Sequence, residues 1–105
     1  MASYAVHQNP NPRTRAAVPF LLDVQLDVFS LLGTRLVVPL YRQEGAGGPI
    51  LTRLCPVLPF QGQPLVAVVP ELAGIPLREL GPMVGDLAAH RAEVLAAMDL
   101  LLTGF

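Results

Sequence analysis

Phe20-Leu21-Leu22-Asp23-Val24-Gln25-Leu26-Asp27 is the stretch on which the fold turns. Phe20, Leu22, Val24 and Leu26 alternate with Leu21, Asp23, Gln25 and Asp27, and only a β-strand converts a period of two into one apolar and one polar face. One face of this strand is expected in a core, with Asp23, Gln25 and Asp27 sharing the other. Outward from it, Gly33-Thr34 leads into Arg35-Leu36-Val37-Val38-Pro39-Leu40, an apolar run rich in β-formers. Tyr4 to Val6 is a short opening strand, separated from Phe20 by the turn formers Gln8-Asn9-Pro10-Asn11-Pro12-Arg13. Downstream, Gln43-Glu44-Gly45-Ala46-Gly47-Gly48-Pro49 is a loop by composition. Leu54 to Phe60 and Leu65 to Val69 flank Gln61-Gly62-Gln63-Pro64 as a hairpin, and Ile75 to Leu80 is one more extended piece. Eleven prolines, six of them inside or beside the apolar runs (Pro39, Pro56, Pro59, Pro64, Pro70 and Pro76), argue against long helices there.

Gly81-Pro82 marks the switch to helix, with Gly81 as cap and Pro82 in the first turn, and Asp86 as an alternative cap. Val84, Leu87, Arg91, Val94, Met98, Leu101 and Phe105 then recur at three- and four-residue steps, the spacing of one helical face, with Asp86, Glu93 and Ala97 elsewhere on the wheel. The expected fold is mainly β with a C-terminal helix: one domain over 1–105, a small, partly open barrel over about 1–80 and a helix over about 82–105. That helix ends in Asp99-Leu100-Leu101-Leu102-Thr103-Gly104-Phe105 without a polar tail. Its last carbonyls and its apolar stripe both need cover, which points to a partner.

Composition narrows the classes of function. The chain is 52% hydrophobic and 14% charged, too apolar for disorder and thinly charged at its surface. Seven arginines, no lysine and eight acids give a net charge of -1, so the long-range pull on phosphate that nucleic-acid binders use is missing. Cys55 is alone and no secretory leader precedes the domain, so a cytoplasmic protein without an intrachain disulfide is expected. No apolar stretch approaches the roughly 18 residues of a membrane span.

The candidates for chemistry are few. On a strand, Asp23 and Asp27 are about 13 Å apart, too far to share a proton, and read as a polar strand face. His7, His90 and Cys55 have no ligand spacing, so no metal is expected. Gly45-Ala46-Gly47-Gly48 lacks the continuation of a phosphate-binding loop. Ser3 and Ser30 stand in no nucleophile elbow, and Cys55 before Pro56 reads as a structural thiol. Arg35, Arg53 and Arg91 are not interleaved with stacking aromatics, and Arg91, on the helical apolar face, is expected to pair with an acid. No catalytic residue and no cofactor is expected.

Taken in order, Asp23-Val24-Gln25-x-Asp27, Arg35-x-Val37-x-Pro39-Leu40, Pro56, Gly62, Ala73-x-x-Pro76, Leu80-Gly81, Val84-x-Asp86-Leu87, Arg91 and Gly104 resemble the CcdB family of bacterial toxins over nearly the whole chain. The resemblance implies an SH3-like barrel of the CcdB/Kid/MazF type with a C-terminal helix. It implies a homodimer whose helix ends lie side by side, with Leu101, Leu102 and Phe105 at the interface. It also implies a non-enzymatic toxin of a type II toxin–antitoxin pair that traps DNA gyrase through its A subunits. A CcdA-like antitoxin would neutralise the toxin, and the complex would touch DNA only through the antitoxin. The gyrase-contacting positions of the family fall here on Val28, Phe29, Asp99, Leu102, Thr103, Gly104 and Phe105.

Two of these depart from the family pattern. Potent members close with Trp-Gly-Ile, and Thr103 stands in the tryptophan's place, while Asp99 replaces an uncharged amide. Two other readings follow from the same resemblance: a MazF/Kid-like ribonuclease toxin, disfavoured by the charge and by the lack of a base, and a non-toxic paralogue that binds only the antitoxin.

Overall fold

The structure is a computed structural model that describes residues 4–25, 32–43 and 53–104. Among these residues, seven strands, β1 (Ala5–Gln8), β2 (Phe20–Asp23), β3 (Thr34–Arg42), β4 (Val57–Phe60), β5 (Gln63–Ala67), β6 (Ala73–Pro76) and β7 (Met83–Asp86), precede one helix, α1 (Arg91–Thr103). The strands form a single antiparallel sheet in the order β4-β5-β3-β2-β1-β7, with β6 off this path against β3. β3 is its spine. The C-terminal end of β3 pairs with β5, from Leu40↔Ala67 to Arg42↔Leu65, and its N-terminal half pairs with β6, from Thr34↔Pro76 to Val37↔Ala73. Along its other edge β3 pairs with β2. A strand that exchanges one neighbour for another halfway along cannot stay flat, and the twisted sheet curls into a half-barrel. The mainly β fold with a C-terminal helix is therefore as the sequence predicts.

The β4–β5 hairpin shows how local chemistry sets the register. Gln61 and Gly62 both have positive φ, 51° and 79°, and form a two-residue turn between Phe60 and Gln63. Such a turn makes the flanking Phe60–Gln63 pair the hydrogen-bonded one, so the next pair, Pro59↔Pro64, sits where neither proline needs an N–H. Leu58 and Leu65 then meet in the core, both fully buried.

β4 and β7, at opposite ends of the path, approach each other through side chains. A Cβ on Gly85 would lie 2.8 Å from the Phe60 ring, and Gln61 Nε2 reaches Val84 O at 3.4 Å. Phe20 stacks edge-on against Phe60 with ring centroids 5.2 Å apart. These rings cap a core that includes Val6, Leu22, Val38, Leu40, Leu58 and Leu65.

Three expectations are corrected. Residues 83–86 are a strand paired with β1, not helix, so the C-terminal helix begins at Arg91 and not near 82. Gly81 N–H donates to Gln8 O and Gln8 N–H donates to Pro82 O, and a Cβ at Gly81 would stand 2.5 Å from Gln8 O. Gly81 is there for the close approach of two backbones, and pairing with a free sheet edge outweighs local helix preference. Second, Ala97 is fully buried and lies on the packed face of α1. Third, β2 ends at Asp23, and Asp23 lies in the interior beside Leu22 and Val24. On the same face Leu21 and Pro39 are half-buried beside an open cleft, and Asp23 is shielded by its pairing with Arg35, so alternation here does not mean full exposure. Asp27 and the loop from Glu44 to Pro49 lie outside the described residues.

The buried Asp23 is paired. Arg35 Nε and Nη2 both donate to its Oδ2, at 2.9 and 2.8 Å, while Gln25 N–H donates to Oδ1 at 3.0 Å. Leu36 N–H donates to Gln25 Oε1 at 2.9 Å, so a side chain takes over the ladder where β2 stops. Removing one partner of such a pair strands a buried charge. Asp23→Leu is expected to lower unfolding free energy by about 3 kcal/mol, whereas Asp23→Leu with Arg35→Met should cost clearly less; urea denaturation of both variants checks this, and equal losses would contradict it. Gly85→Ala should cost about 1–3 kcal/mol by pushing on Phe60, read as a thermal midpoint several degrees lower.

Candidate interaction site

α1 begins on a short 3-10 turn, Ala88–His90, whose first N–H is accepted by Asp86 Oδ1 at 3.0 Å. Asp86 thus caps the approach to the helix rather than the helix itself. His90 Nδ1 lies 2.8 Å from Glu93 Oε1 in the first turn, where an acidic residue also suits the helix dipole. Val94 and Ala97 are fully buried against the sheet core, with Met98 packed beside them. Arg91 is exposed and faces the Tyr4 hydroxyl instead of an acid. Burial raises the Tyr4 pKa, and the Arg91 guanidinium works against that rise.

Beyond Met98 contact with the body of the protein thins, with Leu100 half-buried and residues 101–104 exposed. Leu102 is 74% exposed, Leu101 38% and Leu95 37%. Asp99 and Thr103 are exposed as well. Thr103 Oγ1 donates to Asp99 O at 2.6 Å, and Gly104, at φ 81°, closes the helix in the left-handed conformation with its N–H on Leu100 O at 2.9 Å. The helix end thus presents Leu101 and Leu102 as large apolar groups, with the Thr103 hydroxyl engaged by its own backbone. Of the residues expected at the gyrase-contacting and dimer positions, Asp99, Leu101, Leu102, Thr103 and Gly104 come together here. Val28, Phe29 and Phe105 lie outside the described residues.

The other titratable groups are arranged for structure. Tyr41 donates to Glu71 Oε1 at 2.5 Å, and its phenol is pushed up to about 12 by that hydrogen bond, then by burial and by the Glu71 charge. Cys55, half-buried, has its thiol pushed up by burial and then by Glu71, the reverse of what a nucleophile needs. His7 Nδ1 lies 2.9 Å from Gly81 O. Arg35 is held in the Asp23 pair, away from solvent, and Arg53 is exposed. Among the described residues no three His, Cys, Asp or Glu side chains could share a metal ion, and no helix is long and apolar enough to cross a membrane.

Sequence reasoning missed Asn9, which is buried and shapes the segment after β1. Its Nδ2 donates to Thr14 Oγ1 at 2.9 Å and to Val18 O at 2.8 Å, while its Oδ1 accepts Asn11 N–H at 3.1 Å. The Asn-Pro-Asn-Pro run was the available signal, since Asn side chains form such turns with the backbone two residues on. Arg42, which reaches under this segment to Ala16 O at 3.0 Å, carried no such signal.

The architecture is thus a curled antiparallel sheet with a shallowly seated C-terminal helix whose end is apolar. Comparison with known families agrees: a family model described as CcdB protein matches residues 3–104, nearly the whole chain, and the protein belongs to the CcdB family. That family consists of toxin–antitoxin toxins that inhibit DNA gyrase.

The tyrosines offer a direct check on the site's surroundings. A folded pKa raised above the unfolded value near 10 means that the folded state holds its proton more tightly. The contribution is therefore complete below about pH 10 and is lost as pH rises towards about 12. Absorbance of phenolate at 295 nm should rise later in native protein than in urea, and Tyr41→Phe should remove the step near pH 12 while leaving that of Tyr4, which is raised as well. A native titration centred at the unfolded value would contradict the Tyr41–Glu71 contact.

Proposed function

We propose that this protein is a non-enzymatic toxin of a type II toxin–antitoxin pair, acting in the cytoplasm as a homodimer. Its two helix ends engage the A subunits of DNA gyrase, and a CcdA-like antitoxin neutralises it. The observation that carries this is the helix end, where Leu102 stands largely exposed and Leu101 partly so beyond the last well-packed turn. Apolar side chains in that position are favourable once covered, at about 25 cal/mol per Å², and a twofold pairing of helix ends would bring Leu101, Leu102 and Phe105 together while leaving Asp99, Thr103, Gly104 and the outer side of Leu102 for a target. Contact with the target is expected to extend to Val28, Phe29 and Phe105.

The strength of that contact is set by Thr103. A tryptophan buried at the centre of an interface is worth about 2 kcal/mol or more, and a dimer uses the position twice. About 4 kcal/mol corresponds to roughly a thousandfold in affinity. Thr103 brings little area, and its hydroxyl already donates to Asp99 O, so it offers a partner no free donor. The protein is accordingly a weak gyrase inhibitor, and Thr103→Trp should convert it into a strong one.

The test is inhibition of gyrase supercoiling by the purified protein, with induction of the DNA-damage response in cells as the second readout. Weak inhibition that sharpens at least a hundredfold in Thr103→Trp is the expected result. Inhibition by neither form, with antitoxin binding intact, would make the protein an antitoxin-binding paralogue, and RNA cleavage by the purified protein would replace this reading with the ribonuclease one.

A further inference from the structure

We propose that the cleft between the segment following β1 and strand β3 binds an extended acidic segment of a partner protein, with Arg42 and Arg15 taking its carboxylates. The cleft encloses about 520 Å³, and its walls include Pro10, Arg15, Pro19, Phe20, Arg42 and Pro82. Arg42 is held in place before any ligand arrives. Its Nε donates to Ala16 O at 3.0 Å, its Nη1 donates to Gln63 Oε1 at 3.2 Å, and its backbone N–H donates to Ala17 O at 2.9 Å. Both side-chain acceptors are neutral, so they orient the guanidinium without cancelling its charge. Of its five N–H donors three remain, enough for a two-point contact with a carboxylate.

Among the described residues no acidic one lines the cleft. Among the described residues, the ion pairs are Arg35–Asp23 and His90–Glu93, both elsewhere. A positioned cation without a carboxylate partner, beside a second arginine, is complementary to an anion and carries part of the ordering cost of binding in advance. The remaining walls decide what kind of anion. Three prolines and the Phe20 ring give rigid, apolar, donor-free surfaces that suit an extended chain in which acidic and apolar side chains alternate. Gln8 N–H and C=O are already engaged by Pro82 and Gly81, so recognition falls to side chains and not to strand addition. A nucleic acid fits less well, since the chain as a whole has a net charge of -1 and the cleft offers one ring for stacking.

This deepens the antitoxin part of the proposed function, and rests on it only for the partner's origin. The probe is a labelled, end-blocked Glu-Leu-Glu-Leu-Glu-Leu peptide, with Lys-Leu-Lys-Leu-Lys-Leu as control, followed by fluorescence anisotropy with the full chain. The acidic peptide should bind and the basic one should not. Arg15→Gln is expected to weaken binding about threefold and Arg42→Gln about tenfold, with Arg42→Lys between them, and added salt should weaken all three. Arg15 is exposed, and its variant decides the matter alone if Arg42→Gln fails to fold. Absence of acidic-peptide binding, binding indifferent to both arginines, or tighter binding of an oligouridylate would overturn the proposal. If the peptide binds through these arginines while a CcdA-like antitoxin does not, the antitoxin reading fails and the cleft stands.

Discussion

The contact on which the rest of the structure depends is the buried pair between Arg35 and Asp23. Asp23 closes β2 and Arg35 is the second residue of β3, so their 2.8 Å contact ties the two ends of the chain segment between these strands. Because Gln25 gives its N–H to Asp23 and its Oε1 accepts Leu36 N–H, the ladder ends with both of these backbone N–H groups satisfied by side chains. A charge pair in the interior contributes little net stability on its own, but breaking it is costly, and that asymmetry disfavours other registers. A one-residue slip of β2 against β3 would bury the carboxylate without its guanidinium. The register Asp23↔Val37 to Phe20↔Leu40 then places β3 so that it meets β5 with one half and β6 with the other.

From that arrangement follows the position of the helix. The curl of the sheet leaves room at one end of the core for Val94 and Ala97, and no more of α1 is fully buried. A helix fixed by its first two turns projects its last turn outward, and the Gly104 cap stops it there. The features that a surface-acting toxin of the CcdB family would use are therefore products of limited packing. The same economy of contact exposes the cleft at Arg42, where the segment after β1 covers only part of the second sheet face.

Much of the fold was legible because its signals were local. The hairpin at Gln61-Gly62, the strand at Thr34–Arg42 and the terminal helix each rest on neighbouring residues whose geometry or periodicity admits one conformation. What misled was also local. Gly81-Pro82 has the form of a helix start, yet residues 83–86 pair with β1, because a free edge far away in sequence supplies hydrogen bonds that no helix propensity matches. Asp23 has the look of a surface residue in an alternating strand, and its pairing with Arg35 across the β2–β3 connection puts it inside. The candidate site was legible in part: the apolar residues at 101 and 102 stand out in the sequence, whereas the engagement of the Thr103 hydroxyl and the burial of Ala97 depend on where the helix sits.

By itself the sequence determined the class of fold, the family resemblance and the absence of a tryptophan at position 103, since each is written in residue type and spacing along the chain. Only the tertiary structure decided which polar residues are buried, where β7 ends and α1 begins, and which arginines are paired. Those outcomes depend on contacts between residues far apart in sequence, and the energies of desolvation and charge pairing that settle them exist only once the sheet has closed around them.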